Sequence, residues 1–184
     1  MLNTIQVFYA YTFGTAGWMT LQAAPMILSP TMIAALLSPQ VREATVLEVY
    51  FSRSLGFSLI TLGVLTVLLT GSVPLSSRLS GAAGGTSTDP NDPKAPYALP
   101  TLTLTTLYHA AAAFYMYTMW TETNVTSFAF GVAGSTSLAI VGMWCILFAS
   151  SDGRISRKTG ADKRTSGWPF KNNEADKRKG RKSR

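Results

Sequence analysis

LPTLTLTTLYHAAAAFYMYTMWTETNVTSFAFGVAGSTSLAIVGMWCILFAS, residues 99–150, holds two long runs separated by Thr121-Glu122-Thr123-Asn124. Glu122 is its only charged residue. Each run has roughly the 20 residues that a helix needs to cross a bilayer. The link leaves room only for a tight reversal. The stretch therefore reads as a transmembrane helical hairpin, with spans at about 99–120 and 127–150.

The charge pattern extends this reading to the whole chain. Of 184 residues, 14% are charged, against about 25% in a typical soluble domain. The few charges are badly mixed. Residues 1–41, 54–77, 95–121 and 123–151 carry none, and 12 of the 16 Lys and Arg follow Ser150. A soluble domain interleaves charge to keep the outer faces of its helices wet. A bilayer forbids this, because a charge at its centre costs about 3 kcal/mol or more. The expected fold is all-α: a four-helix transmembrane bundle over 1–150, followed by a disordered basic tail over 151–184.

The net charge of +7 belongs to that tail. A basic tail beside a membrane segment anchors topology and meets anionic lipid headgroups. Nucleic acid is not an expected partner for a chain this deeply embedded. The bilayer, a membrane-protein partner or a second copy of the chain are.

The first span is expected at about 7–28, kinked by Pro25. The N-terminus lacks the Lys or Arg of a secretory signal, so this helix is expected to stay in the mature protein. Ser29-Pro30 looks like a fresh helix start, with Ser29 as N-cap and Pro30 at the first helical position. The piece that follows, Thr31 to Leu37, is too short to span and is expected at the interface. Thr45-Val-Leu-Glu48 has the form of a capping box, which opens a second span at about 47–71. Ser52, Gly56 and Gly63 fall near one face of it, where small residues allow close helix approach. Residues 72–98, rich in Gly, Ser, Thr and Pro, read as a disordered loop.

In the third span, Thr105, His109, Ala112, Ala113 and Met116 share a stripe expected to face the bundle. In the fourth, Ser127, Gly131, Ser135, Leu138, Gly142, Cys145 and Ala149 form a packing stripe of mostly small residues. Four spans put both termini and the 72–98 loop on one side. That side then holds 14 of the 16 basic residues, so the positive-inside rule makes it cytosolic. A three-span version would move only the N-terminus out.

His109 is the single histidine, and an ionisable group inside a span is a functional candidate by default. A ligand pocket would draw on His109, Thr105, Tyr108 and Tyr115. A neutral histidine can equally bond Thr105 or a tyrosine of another helix as a structural tie. No catalytic residues are assigned, because no nucleophile–base pattern assembles. No cofactor is implied, and one histidine with one cysteine makes no metal site. Cys145 reads as a small packing residue, with S-acylation as the alternative. Asn124-Val-Thr126 matches a glycosylation sequon but sits too close to the membrane for modification to be expected.

The run His109-Ala-Ala-Ala-Ala-Phe-Tyr resembles small uncharacterised integral membrane proteins of filamentous fungi. So does the tail segment Gly153-Arg-Ile-Ser-Arg-Lys-Thr-Gly-Ala-Asp-Lys-Arg-Thr-Ser-Gly-Trp-Pro-Phe-Lys. The resemblance covers the chain from Leu99 onward and implies the four-helix fold without an activity. The layout is also similar to small scaffold proteins of the endoplasmic reticulum, such as the one that organises sterol-synthesis enzymes. The leading expectation is thus a non-enzymatic scaffold or accessory protein of an internal membrane. The alternative is a small transporter or lipid-acting protein with a polar pocket at His109.

Overall fold

The computed structural model describes residues 4–38, 43–71, 95–151 and 154–155. The helices are α1 (Thr4–Leu28), α2 (Pro30–Leu37), α3 (Val46–Leu69), α4 (Ala95–Thr123) and α5 (Thr126–Trp144). A π turn, Cys145–Ala149, prolongs α5. Two short strands follow, β1 (Ser150–Ser151) and β2 (Arg154–Ile155), paired antiparallel.

The bundle is built from two antiparallel hairpins. In the first, α3 lies against α1 through its small residues. Gly63 faces Ala16 and Met19, and Gly56 faces Ala23 and Ile27. One turn before Gly56, the Ser52 hydroxyl donates to the Met26 carbonyl at 3.1 Å. A Cβ on Gly56 would come within 3.1 Å of the Ala23 carbonyl oxygen, so only glycine permits this approach. Helix association in lipid depends on such close packing, because lipid tails are as apolar as leucine.

In the second hairpin, α5 lies against α4. Gly131 sits beside Met116, and Gly142 sits beside Thr106. The reversal takes two residues, Asn124 and Val125. Asn124 adopts φ 55°, a left-handed conformation that asparagine tolerates better than most residues. Helix α4 is longer at both ends than expected. It begins four residues before Leu99 and runs through Thr121-Glu122-Thr123.

The hairpins meet along α1. Gly14 packs on Leu138, and Tyr11 reaches Gly142 and Thr106. The N-terminal parts of α1 and α4 and the C-terminal part of α5 converge in one apolar cluster of Phe8, Tyr11, Ala98, Leu102, Cys145, Ala149 and Ile155. Ile155 belongs to the segment expected as free tail. Instead, the β1–β2 pairing folds the chain back and buries this side chain in the cluster. The rest of the expected disorder, over 72–94 and 156–184, lies outside the described residues.

The capping box is present as expected. The Glu48 amide donates to Thr45 Oγ1 at 3.3 Å, and Glu48 Oε2 accepts from the Thr45 amide at 2.8 Å. Helix α1 continues through Pro25 to Leu28. The chain instead turns by 108° at Ser29, between α1 and α2. Ser29 makes no side-chain cap bond, so Pro30 alone marks the start of α2.

Among the described residues two helices are long and apolar enough to cross a membrane, α3 and α5 with its π turn. The bent α1–α2 pair makes a third when counted as one span. The all-α fold is as expected, and two or three of the four expected spans meet this measure. Helix α4 falls outside it, because Thr101, Thr103, Thr105, Thr106 and His109 dilute its apolar run.

Candidate functional site

The polar interior lies where α1, α4 and α5 meet. Threonine supplies most of it. Thr12, Thr15, Thr101, Thr105, Thr106, Ser135 and His109 are buried on these three helices, as are Thr66 and Thr70 at the end of α3, while Phe114, Phe130, Leu104, Leu107, Ile140 and Val46 are exposed. Buried polar groups thus sit beside the apolar clusters, and the number of large apolar side chains left exposed exceeds what a water-soluble surface favours.

The hydroxyls are mostly accommodated within their own helices. Thr12 Oγ1 donates to the Phe8 carbonyl at 3.0 Å, and Thr66 to Leu62 at 2.8 Å. On α4, Thr105 donates to Thr101 at 2.8 Å and Thr106 to Leu102 at 2.7 Å. This back-bonding one turn along the helix uses up the single hydroxyl proton. Tyr11 lies 2.8 Å from Thr105 Oγ1 and 3.2 Å from Thr106 Oγ1. With the threonine protons directed at their own helix, the single Tyr11 proton is left to bond one of the two hydroxyl oxygens at a time, Thr105 being the nearer. It ties α1 to α4.

A second tie lies one turn further along. His109 Nε2 is 3.2 Å from Thr15 Oγ1, and the histidine is 0% exposed. The ring stands edge-on to Tyr108, with centroids 5.3 Å apart, and to Tyr11 at 6.5 Å. Its other nitrogen, Nδ1, is buried without a partner. The tautomer does not remove this orphan. If Thr15 donates to Nε2, Nδ1 carries an unpaired proton; in the reverse case it carries an unpaired lone pair. An unmet buried polar atom costs about 1–3 kcal/mol. Two more atoms share the condition, Trp18 Nε1 and Ser135 Oγ.

Of the expected pocket residues, His109, Thr105 and Tyr108 come together. Tyr115 does not. It is 63% exposed, on the opposite side of α4. The surface grooves lie elsewhere. One of about 460 Å³ runs between α2 and α3, lined by Pro30, Ile33, Leu37, Phe51 and Leu55. The other lies along the start of α3, by Tyr50, Arg53 and Phe57. Neither touches His109.

The expected packing residues Gly56, Gly63, Gly131 and Gly142 all sit at helix contacts. Ser135 is buried too, but its hydroxyl is one of the three orphans. Cys145 is 0% exposed within the apolar cluster, which leaves S-acylation no access in this conformation. Among the described residues no group of three His, Cys, Asp or Glu side chains could hold a metal ion.

Sequence reasoning missed the α1 half of the site. Tyr11, Thr15 and Trp18 recur at intervals of four and three, one helix face with polar atoms on every member. That spacing was the available signal.

No curated protein and no solved structure matches this chain. One family model does, a domain of unknown function (DUF8792), over residues 11–183. That match runs from Tyr11, the first polar residue of the interior, through both hairpins and the tail, and on it the chain belongs to the DUF8792 family.

Proposed function

We propose that this protein is a small multi-pass membrane protein that acts without catalysis, as a scaffold or accessory protein of an internal membrane. The observation that carries the reading is the large apolar surface: Phe57, Leu104, Leu107, Phe114, Phe130 and Ile140 are exposed, while His109 and several threonines are buried beside the apolar clusters. Such a surface suits lipid tails and the apolar faces of other membrane helices.

Four spans remain the proposed topology, with α4 included. Its threonines bond their own carbonyls, which lowers their cost in lipid. Its outer face presents Leu104, Leu107 and Phe114. Both termini are then cytosolic, and the basic tail meets anionic headgroups. Helix α2, turned across the end of the bundle, suits the membrane interface. An endomembrane, the endoplasmic reticulum first, is the proposed home, and the chain takes its place among fungal membrane proteins.

The scaffold reading is tested by cross-linking in native membranes, followed by mass measurement in mild detergent. A defined complex with another membrane protein or with a second copy is expected. A stable monomer with no cross-linked neighbour overturns it.

The transporter or lipid-acting alternative keeps one supporting observation, the unmet Nδ1 of His109. It predicts that His109→Ala reproduces the solute or lipid profile of a deletion strain. If His109→Ala resembles the wild type while the deletion does not, this alternative fails.

A further inference from the structure

The three orphaned atoms are not scattered. Helix pairing fixes their heights. Between α1 and α5, which run antiparallel, Tyr11 faces Gly142, Gly14 faces Leu138 and Trp18 faces Gly134. Between α1 and α4, which run parallel, Tyr11 meets Thr105 and Thr15 meets His109. On this register Trp18 lies about three residues beyond the level of His109, and Ser135 about two by its pairing with α1 and three to four by its pairing with α4, where Gly131 meets Met116 and Gly142 meets Thr106. At 1.5 Å per residue, that is about 3 to 6 Å along the bundle, roughly one helical turn or less. His109 and Trp18 are each fifteenth in their helices, of 29 and 25 residues, so the level is near mid-height.

One layer thus gathers an indole N–H, a serine hydroxyl and an imidazole nitrogen, each on a different helix, each buried and each without a protein partner. Buried polar atoms in folded proteins find partners almost without exception, and where protein does not supply them, ordered water does. The set is chemically suited to water. The indole only donates, the hydroxyl donates and accepts, and the imidazole nitrogen does one or the other according to tautomer. A molecule that both donates and accepts satisfies all three, whichever tautomer His109 holds. An empty pocket would instead be lined by apolar groups.

We infer that the layer formed by Trp18, His109 and Ser135 is a hydration site, holding ordered water between α1, α4 and α5 at mid-height of the bundle. The inference is independent of the scaffold reading, since a wet layer tolerates any partner on the outer faces.

The protein's single histidine makes the test direct. Full-length protein carrying isotope-labelled histidine is placed in lipid nanodiscs and studied by water-edited solid-state NMR. The imidazole nitrogens are His109's alone. Expected is a hydrogen-bonded Nδ1 that receives magnetisation from water. Ser135→Ala should weaken that transfer by about a third or more, since a buried water makes roughly three bonds. Trp18→Phe should act alike. A dry imidazole in the wild type overturns the hydration site without need of any variant. Water transfer that ignores both Ser135→Ala and Trp18→Phe overturns the shared layer. None of these readouts depends on a binding partner, so failure here is distinct from failure of the scaffold reading.

Discussion

His109 on α4 and Thr15 on α1 meet through Nε2 and Oγ1 at 3.2 Å, and this bond spans the gap between two hairpins that otherwise touch through apolar contacts and one tyrosine. It gives the bundle a fixed register between α1 and α4. Removing one partner should cost more than removing both. Thr15→Val leaves Nε2 of the imidazole unmet and should destabilise the protein by about 1–3 kcal/mol. The double variant Thr15→Val/His109→Phe should recover much of that loss. Reversible unfolding in detergent measures both. Additive losses would show that the bond is not the link.

Close helix approach should discriminate sharply between glycines. A Cβ on Gly142 would fall within 2.8 Å of the Tyr11 ring and against the Thr106 hydroxyl. Gly142→Val should therefore cost about 1–3 kcal/mol through overpacking. A Cβ on Gly17 meets nothing within 4 Å. Gly17→Ala should be neutral, or stabilising by up to about 1 kcal/mol through helix propensity. Thermal unfolding of the two variants side by side decides the matter, and equal losses would contradict the packing.

The capping box at Thr45 and Glu48 should be a local device. Thr45→Ala removes a side chain that accepts from the Glu48 amide and should cost about 1 kcal/mol. Amide exchange should quicken over the first turn of α3, at Val46 to Tyr50, and stay unchanged near Gly63. A uniform change along α3 would argue against it.

Ile155 should act as a plug for the far end of the bundle. It is buried with Phe8, Leu102 and Cys145. Ile155→Ala should cost about 2–5 kcal/mol if the site collapses as a core site does. The same loosening should expose Cys145 to a membrane-permeant maleimide, which wild-type protein resists until it is denatured. Ready labelling of Cys145 in the wild type would contradict its burial.

Topology has its own measurement. Reporter tags at the N-terminus and after residue 160 should both face the cytosol. Asn124→Cys, in a Cys145→Ser background, should be labelled from the opposite side. An N-terminal tag on the far side would establish three spans.

Much of the bundle is legible in the residues. Thr45-Val-Leu-Glu48 announces its cap because its two side chains bond each other's amides, a strictly local event. Gly56, Gly63, Gly131 and Gly142 announce helix contacts because small residues at helical spacing have little other use in an apolar run. Pro25 does not end its helix, and the break that the chain makes was legible instead in Ser29-Pro30. Here the turn waits for Ser29. Tyr115 misleads because proximity in sequence was taken for proximity in space. Six residues past His109 at 100° each, it lies 240° around the helix, on the outer face. Ile155 was not legible at all. A lone isoleucine among charged residues looks like tail, and only the strand pairing at Ser150–Ile155 brings it back to the cluster.

The threonine back-bonds bear on how such a chain is made. Thr12, Thr66, Thr103, Thr105, Thr106 and Ser137 each bond a carbonyl of their own helix. A helix whose hydroxyls are met from within can leave the ribosome, enter the bilayer and wait there alone. It needs no neighbour to shield it from the lipid. If the chain spans the bilayer as proposed, biogenesis divides into insertion, which each hairpin completes by itself, and lateral docking, which the Tyr11 and His109 ties complete afterwards.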